Sequence, residues 1–139
     1  YENISWYGAG PVETYSDRLV GAKIDFYSGK VSEQLAKYLS PQESGNKSLV
    51  RFARLTDRKG HGLLVAGDCI NVSALCYTPS ELEEARHDFE LPPVTKTVLR
   101  ISLSQMGIGG DDTWGAPTLD EYLLKGEGSL KFDYVIKGI

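Results

Sequence analysis

The chain is poor in the residues that most often announce chemistry. Its 139 residues hold two cysteines, one methionine, two tryptophans and two histidines. So few cysteines cannot build a disulfide framework, and the spacing of Cys69 and Cys76 fits neither a zinc site nor a redox pair. On an extended segment the two would face opposite ways, so the expectation is two buried free thiols. His61 and His87 have no partner at metal-ligand spacing; no metal site is expected, and both read as solvated. No apolar run approaches the ~20 residues of a membrane-spanning helix, which argues against a membrane protein. Positive charge is not in excess either. Fifteen Lys and Arg stand against nineteen Asp and Glu, for a net charge of −4, so the basic face that nucleic acid requires is missing. There is no P-loop, and Gly107-Ile108-Gly109 lacks the third glycine of a dinucleotide fingerprint. No signal peptide is visible, but the chain opens on Tyr1, so the true N-terminus is expected elsewhere and the compartment stays open.

What is present is ordinary globular material: 41% hydrophobic and 24% charged residues, enough for one domain with a genuine core. The hydrophobic periods are those of β-structure. Leu130, Phe132, Tyr134 and Ile136 alternate with Lys131, Asp133, Val135 and Lys137, which predicts a half-buried strand. Leu99, Ile101 and Leu103 alternate in the same way with Val98, Arg100 and Ser102; Val20, Ala22, Ile24 and Phe26 do so against Lys23, Asp25 and Tyr27. Residues 49–55 and 62–66, joined by Asp57-Arg58-Lys59-Gly60, read as a hairpin. One helix signal stands apart. Thr78-Pro79-Ser80-Glu81 supplies a Thr cap, Pro in the first turn and Glu three residues after the cap, predicting a short helix near residues 79–87. Six or more strands with one short helix point to an all-β, antiparallel sandwich forming a single domain over 1–139.

The densest motif is Gln105-Met106-Gly107-Ile108-Gly109-Gly110-Asp111-Asp112-Thr113-Trp114-Gly115. Glycines permit the positive φ of tight excursions, so Gly107, Gly109 and Gly110 are read as shaping a loop. A glycosidase of the retaining kind needs two carboxyl groups about 5–5.5 Å apart. Asp111 and Asp112 are adjacent, tend to project differently, and have no apolar pocket to raise one pKa. They read instead as side chains that bond loop amides. Trp114 is open to two readings, a core ring capping a sandwich or a platform for a ligand. Glu13, Tyr15, Asp17 and Arg18 form a second cluster, which either grips a substrate or locks a loop by paired hydrogen bonds, the latter being preferred. Gln42, Glu43 and Asn46 are read the same way. Trp6 belongs to an extended opening segment and is read as packing. The Asn-x-Ser triplets at Asn3, Asn46 and Asn71 are given no weight.

Four segments in order carry a resemblance. They are Gly8-Ala9-Gly10-Pro11-Val12-Glu13-Thr14-Tyr15-Ser16-Asp17-Arg18, Pro41-Gln42-Glu43-Ser44-Gly45-Asn46, Asn71-Val72-Ser73-Ala74-Leu75-Cys76-Tyr77-Thr78-Pro79, and the Gly107–Trp114 stretch. Together they resemble the C-terminal domain of the large β-galactosidases of glycoside hydrolase family 2. Ser44 departs mildly, Asn being the more usual residue. The resemblance implies that the chain is the C-terminal half of a galactose mutarotase-like supersandwich. It also implies that the two catalytic glutamates belong to a separate barrel, in the same polypeptide or a large subunit, with Mg or Na allowed there and no cofactor here. Trp114 then corresponds to a tryptophan that this domain extends into the active site, under the leaving-group sugar of a galactoside such as lactose. A bacterial cytoplasm or periplasm would suit such an enzyme. A stand-alone carbohydrate-binding module using the same ring, and an independent sugar epimerase, are the competing classes. The epimerase needs a positioned His and Glu, for which neither His61 nor His87 sits in a supporting motif.

Overall fold

The computed structural model describes residues 1–110 and 114–139. Six antiparallel strands make one sheet: β1 (Asn3–Gly10), β2 (Lys23–Lys30), β3 (Lys47–Thr56), β4 (Gly62–Leu75), β5 (Val98–Ser102) and β6 (Tyr134–Gly138). The order is β2-β1-β3-β4-β5, and β6 also pairs with β4. One edge of β4 serves two partners, β6 along Leu63–Gly67 and β5 along Asn71–Leu75. Between those stretches Cys69 turns to φ 57°, a conformation rare outside glycine, and the strand breaks its regular run there. The expected hairpin is present, with β3 and β4 paired across the turn at residues 57–61; Asp57 closes that turn by accepting the amide N–H groups of Lys59 and His61.

The core lies on one face of this sheet. Ile4 and Trp6 of β1 sit level with Leu55 and Ala53 of β3, and Ala53 with Val65 of β4; all five are essentially inaccessible. The Ile4, Leu55 and Val65 side chains each contribute roughly 1.5–3 kcal/mol by leaving water. Val31 and Cys76 of the connecting segments belong to the same core cluster, and the helix residue Leu82 is buried as well. That helix, α1, runs Pro79–Glu84 and starts as its sequence requires. Thr78 Oγ1 accepts the Glu81 amide at 3.3 Å, and Glu81 returns the favour to the Thr78 amide at 2.8 Å.

The structure corrects the expected elements in three places. β2 begins only at Lys23, and its alternation faces the other way: Tyr27 turns toward the core beside Trp6, while Ile24 and Phe26 are about half exposed. The C-terminal strand is shorter than its pattern, beginning at Tyr134, and all five residues of it are exposed instead of half-buried. Alternation reports that a strand has two faces, but not which of them another layer covers. The helix also stops three residues early. His87 instead caps a single 3₁₀ turn (Asp88–Glu90) and stacks on Phe89. Of the two thiols, both free, only Cys76 is buried; Cys69 is half-exposed at its kink. Among the described residues no helix is long and apolar enough to cross a membrane, and no cluster of His, Cys, Asp or Glu could hold a metal ion.

Candidate functional site

The site is assembled where the first motif meets the last. After β1 the chain turns through Gly10-Pro11, joined by a cis peptide bond, and residues 11–18 run beside the segment before β3. Glu13 pins this arrangement. Its carboxylate accepts the Gly45 amide at 2.7 Å and the hydroxyl of Tyr38, and Tyr15 lies at 3.5 Å. Burial together with the Glu13 hydrogen bond pushes the Tyr38 phenol up to about 12. Burial also raises the pKa of the Tyr15 phenol, ahead of the Glu13 charge. Next to it runs a largely buried polar chain. Asn46 donates to the Thr14 carbonyl at 2.8 Å and to Asn71 Oδ1 at 3.0 Å, Thr14 Oγ1 accepts the Ser48 amide at 2.8 Å, and Asn71 donates to the Leu103 carbonyl at 3.2 Å. Leu103 is where β5 gives way to the glycine-rich loop, so three motifs converge on the root of the fourth.

The loop itself is held by Asp17 and Arg18. Asp17 Oδ2 accepts the Gly109 amide at 2.8 Å, and the Arg18 guanidinium reaches the Gly109 carbonyl at 3.4 Å. Gly107 donates its amide to the Tyr122 carbonyl at 2.9 Å and accepts the Thr118 hydroxyl at 3.0 Å, so the outgoing and returning arms are tied together. Glycine is required at position 107 by space: a Cβ there would stand 2.6 Å from Asp17 Oδ2 and 2.8 Å from Tyr122 Cβ. At Gly109 it is required by conformation, with φ 67°. A cavity of about 270 Å³ lies against this junction, lined by Asp17, Arg18, Gly109, Gly110, Leu119 and Tyr122. Later in the chain Trp114 is 91% exposed, in contrast to Trp6, at 2%. Asp111 and Asp112 lie outside the described residues.

Asn46 was read in the sequence as a loop-locking residue, whereas Asn71 and Lys47 went unread as buried polar features. Asn46 and Asn71 are central to the buried chain, and their only visible signal was their place in the motifs. Lys47 is 2% exposed, its ammonium donating to the Gly45 carbonyl at 3.0 Å and lying 5.1 Å from the centre of the Trp6 ring. Burial depresses its pKa to about 8, against the pull of Glu13. Nothing in a Lys beside an Asn announces this. Glu43, read with that motif, pairs with Arg100 of β5. His61 lies 3.7 Å from Asp57 in the exposed hairpin turn.

The family described as beta-galactosidase small chain matches residues 1–136. A beta-galactosidase of Halalkalibacterium halodurans is 43% identical over 141 residues, covering 100% of this chain and 14% of that protein. Beta-galactosidases of Priestia megaterium and Streptococcus thermophilus are 41% and 39% identical, each over 99% of the chain, and over 13% and 14% of their own lengths. The chain therefore spans about one-seventh of the curated relatives it matches. On the match along nearly its whole length, the chain belongs to the beta-galactosidase small chain family.

Proposed function

We propose that this chain is the non-catalytic C-terminal part of a retaining β-galactosidase that hydrolyses terminal β-D-galactosides such as lactose. In this reading Trp114 forms the platform for the sugar on the leaving-group side of the active site. The observation that carries it is the 91% exposure of the Trp114 ring beyond a loop base tied at four hydrogen bonds. A large ring is ordinarily buried; one left in solvent by an anchored loop stands where a ligand or a neighbouring domain can reach it. The relatives, named beta-galactosidase, supply the reaction class.

The two carboxyl groups that form and break the glycosyl intermediate come from the catalytic barrel, about 5–5.5 Å apart. No residue of this chain touches the reacting bond. Its contribution is positional. The apolar face of the acceptor sugar packs on the indole, removing apolar area worth on the order of 1–2 kcal/mol. Because the ring is rigid and the loop base is fixed, little freedom is lost when the sugar is ordered.

The test has two arms. The purified chain alone should hydrolyse no chromogenic β-galactoside and bind lactose more weakly than about 1 mM, since one stacked face offers so little. In the intact enzyme, Trp114→Ala should raise KM for lactose and slow galactose transfer to glucose, while sparing substrates whose leaving group does not stack. Turnover by the isolated chain, abolished by Asp112→Asn, would overturn the proposal. Micromolar sugar binding by the isolated chain would make it a carbohydrate-binding module instead.

A further inference from the structure

Lys47 is a buried amine that the proposed function leaves idle. It opens β3 and is 2% exposed, yet it borders a cavity of about 290 Å³ between the segment after β1 and the turn after β2. Glu13, Glu33, Gln34 and Ser28 bring polar groups to that cavity, and the Trp6 indole forms part of its wall. The ring is fixed, its N–H donating to the Ala9 carbonyl at 3.0 Å. An ammonium carries three N–H groups. Among the described residues only the Gly45 carbonyl accepts one of them, at 3.0 Å, and the Trp6 ring, its centre 5.1 Å from Nζ, meets the charge. The site suits a cation with one N–H better than a cation with three. The titratable groups around Nζ are Glu13, after β1, and Glu33, in the 3₁₀ turn Val31–Glu33; the Tyr38 phenol is held on Glu13, and Tyr27 of β2 lies against the Trp6 ring. Burial outweighs the pull of Glu13 and brings the amine to about 8. Roughly one Lys47 in ten is then neutral at pH 7, against about one ordinary lysine in 3000.

We propose that Lys47 is a modification site that condenses with a short, neutral, hydroxylated aldehyde to form an imine within this cavity. Nζ bonds to the aldehyde carbon as the carbonyl π pair moves onto oxygen. That oxygen takes one proton from Nζ and one from solvent, and leaves as water. The iminium keeps a single N–H for the Gly45 carbonyl, and no donor is left buried without an acceptor. Its positive charge still rests over the Trp6 ring. Glu33 and Gln34 offer acceptors to the hydroxyl of the aldehyde, while the carboxylates of Glu13 and Glu33 stabilise the iminium and repel an anionic aldehyde. The inference rests on the Lys47 cavity and on no sugar subsite at Trp114.

Glycolaldehyde is the probe, added to the full-length polypeptide with cyanoborohydride, which reduces an iminium to a stable secondary amine that peptide mass spectrometry locates. The advantage in neutral amine is about 300-fold at pH 7, which leaves room for restricted access to the cavity. Lys47 should therefore be labelled at least about tenfold faster than the exposed Lys59 and Lys125 in the same sample. Labelling of those two with Lys47 left intact would overturn the proposal. Between pH 7 and pH 9.5 the ratio of Lys47 to Lys59 labelling should fall by more than about tenfold, as the ordinary lysine gains its own neutral form. A steady ratio would contradict attack by a neutral Lys47 amine. Glyoxylate, an anionic aldehyde with the same number of carbons, should show a Lys47 to Lys59 ratio at least about tenfold lower than glycolaldehyde does. Equal ratios would overturn the ligand class. Trp114→Ala should leave all three results unchanged, so failure here and failure of the proposed function are distinguishable.

Discussion

Replacing Asp17 tests whether the loop base works through Trp114. Asp17 Oδ2 accepts the Gly109 amide at 2.8 Å across 92 positions of sequence. Removing a hydrogen bond to a charged acceptor of this kind costs about 1.5–3 kcal/mol. The population with the loop released should then rise by about 10- to 150-fold in Asp17→Ala. The consequence for lactose has a ceiling, because the stacking at stake is worth on the order of 1–2 kcal/mol, or about 5- to 30-fold in KM. Asp17→Ala should therefore approach the effect of Trp114→Ala without exceeding it. Asp17→Asn, which keeps a neutral acceptor in place, should fall between wild type and Asp17→Ala. The assay is steady-state kinetics of the intact enzyme on lactose and on an aryl galactoside, for both single variants and the double. If Asp17 acts by holding the loop, the double variant is no worse on lactose than Trp114→Ala alone. Additive losses, or equal losses on both substrates, would refute the reasoning.

Gly107→Ala should lower Tm and raise KM for lactose, because its Cβ would meet the Asp17 carboxylate and the Tyr122 side chain below 3 Å. Gly126→Ala, where a Cβ meets nothing within 4 Å, should leave lactose kinetics unchanged and gain about 0.4–1 kcal/mol in thermal unfolding. Lys47 should make stability rise with pH. Its folded pKa, about 8, lies below the ordinary 10.5, so the unfolded chain binds the extra proton between those values, and the penalty felt below pH 8 is relieved as pH climbs. The gap corresponds to about 3 kcal/mol at most. Denaturant unfolding at pH 7 and pH 9.5 should show wild type gaining on Lys47→Met across that interval, a comparison in which the tyrosines cancel; parallel profiles would contradict the assignment. Asn46→Ala should destabilise by about 2–4 kcal/mol in the same assay, since it leaves the Thr14 carbonyl and Asn71 Oδ1 buried without this donor.

Local features were legible in the sequence because their causes lie within a few residues. The Thr78–Glu81 cap, the Pro79 start and the hairpin turn at Asp57 each satisfy their own backbone groups, whatever packs around them. The all-β class followed from alternation, and the family from four motifs in order. Alternation alone, however, leaves the covered face undecided. Ile24 and Phe26 form the apolar side of β2 in the sequence, yet Tyr27 faces the core, because the core cluster, with Val31 and Cys76 of the connecting segments, lies on that side of the sheet. Cys69 and Lys47 show the same limit in opposite directions, a thiol left half-exposed by a kink and an ammonium enclosed beside Trp6. The candidate site is the extreme case. Composition marked Gly107, Gly109 and Trp114 as a loop and Asp17 and Arg18 as a cluster, but their meeting depends on the order of β2, β1, β3, β4 and β5 across the sheet. Only that order carries residue 17 to residue 109, and so decides where the Trp114 ring is left standing in water.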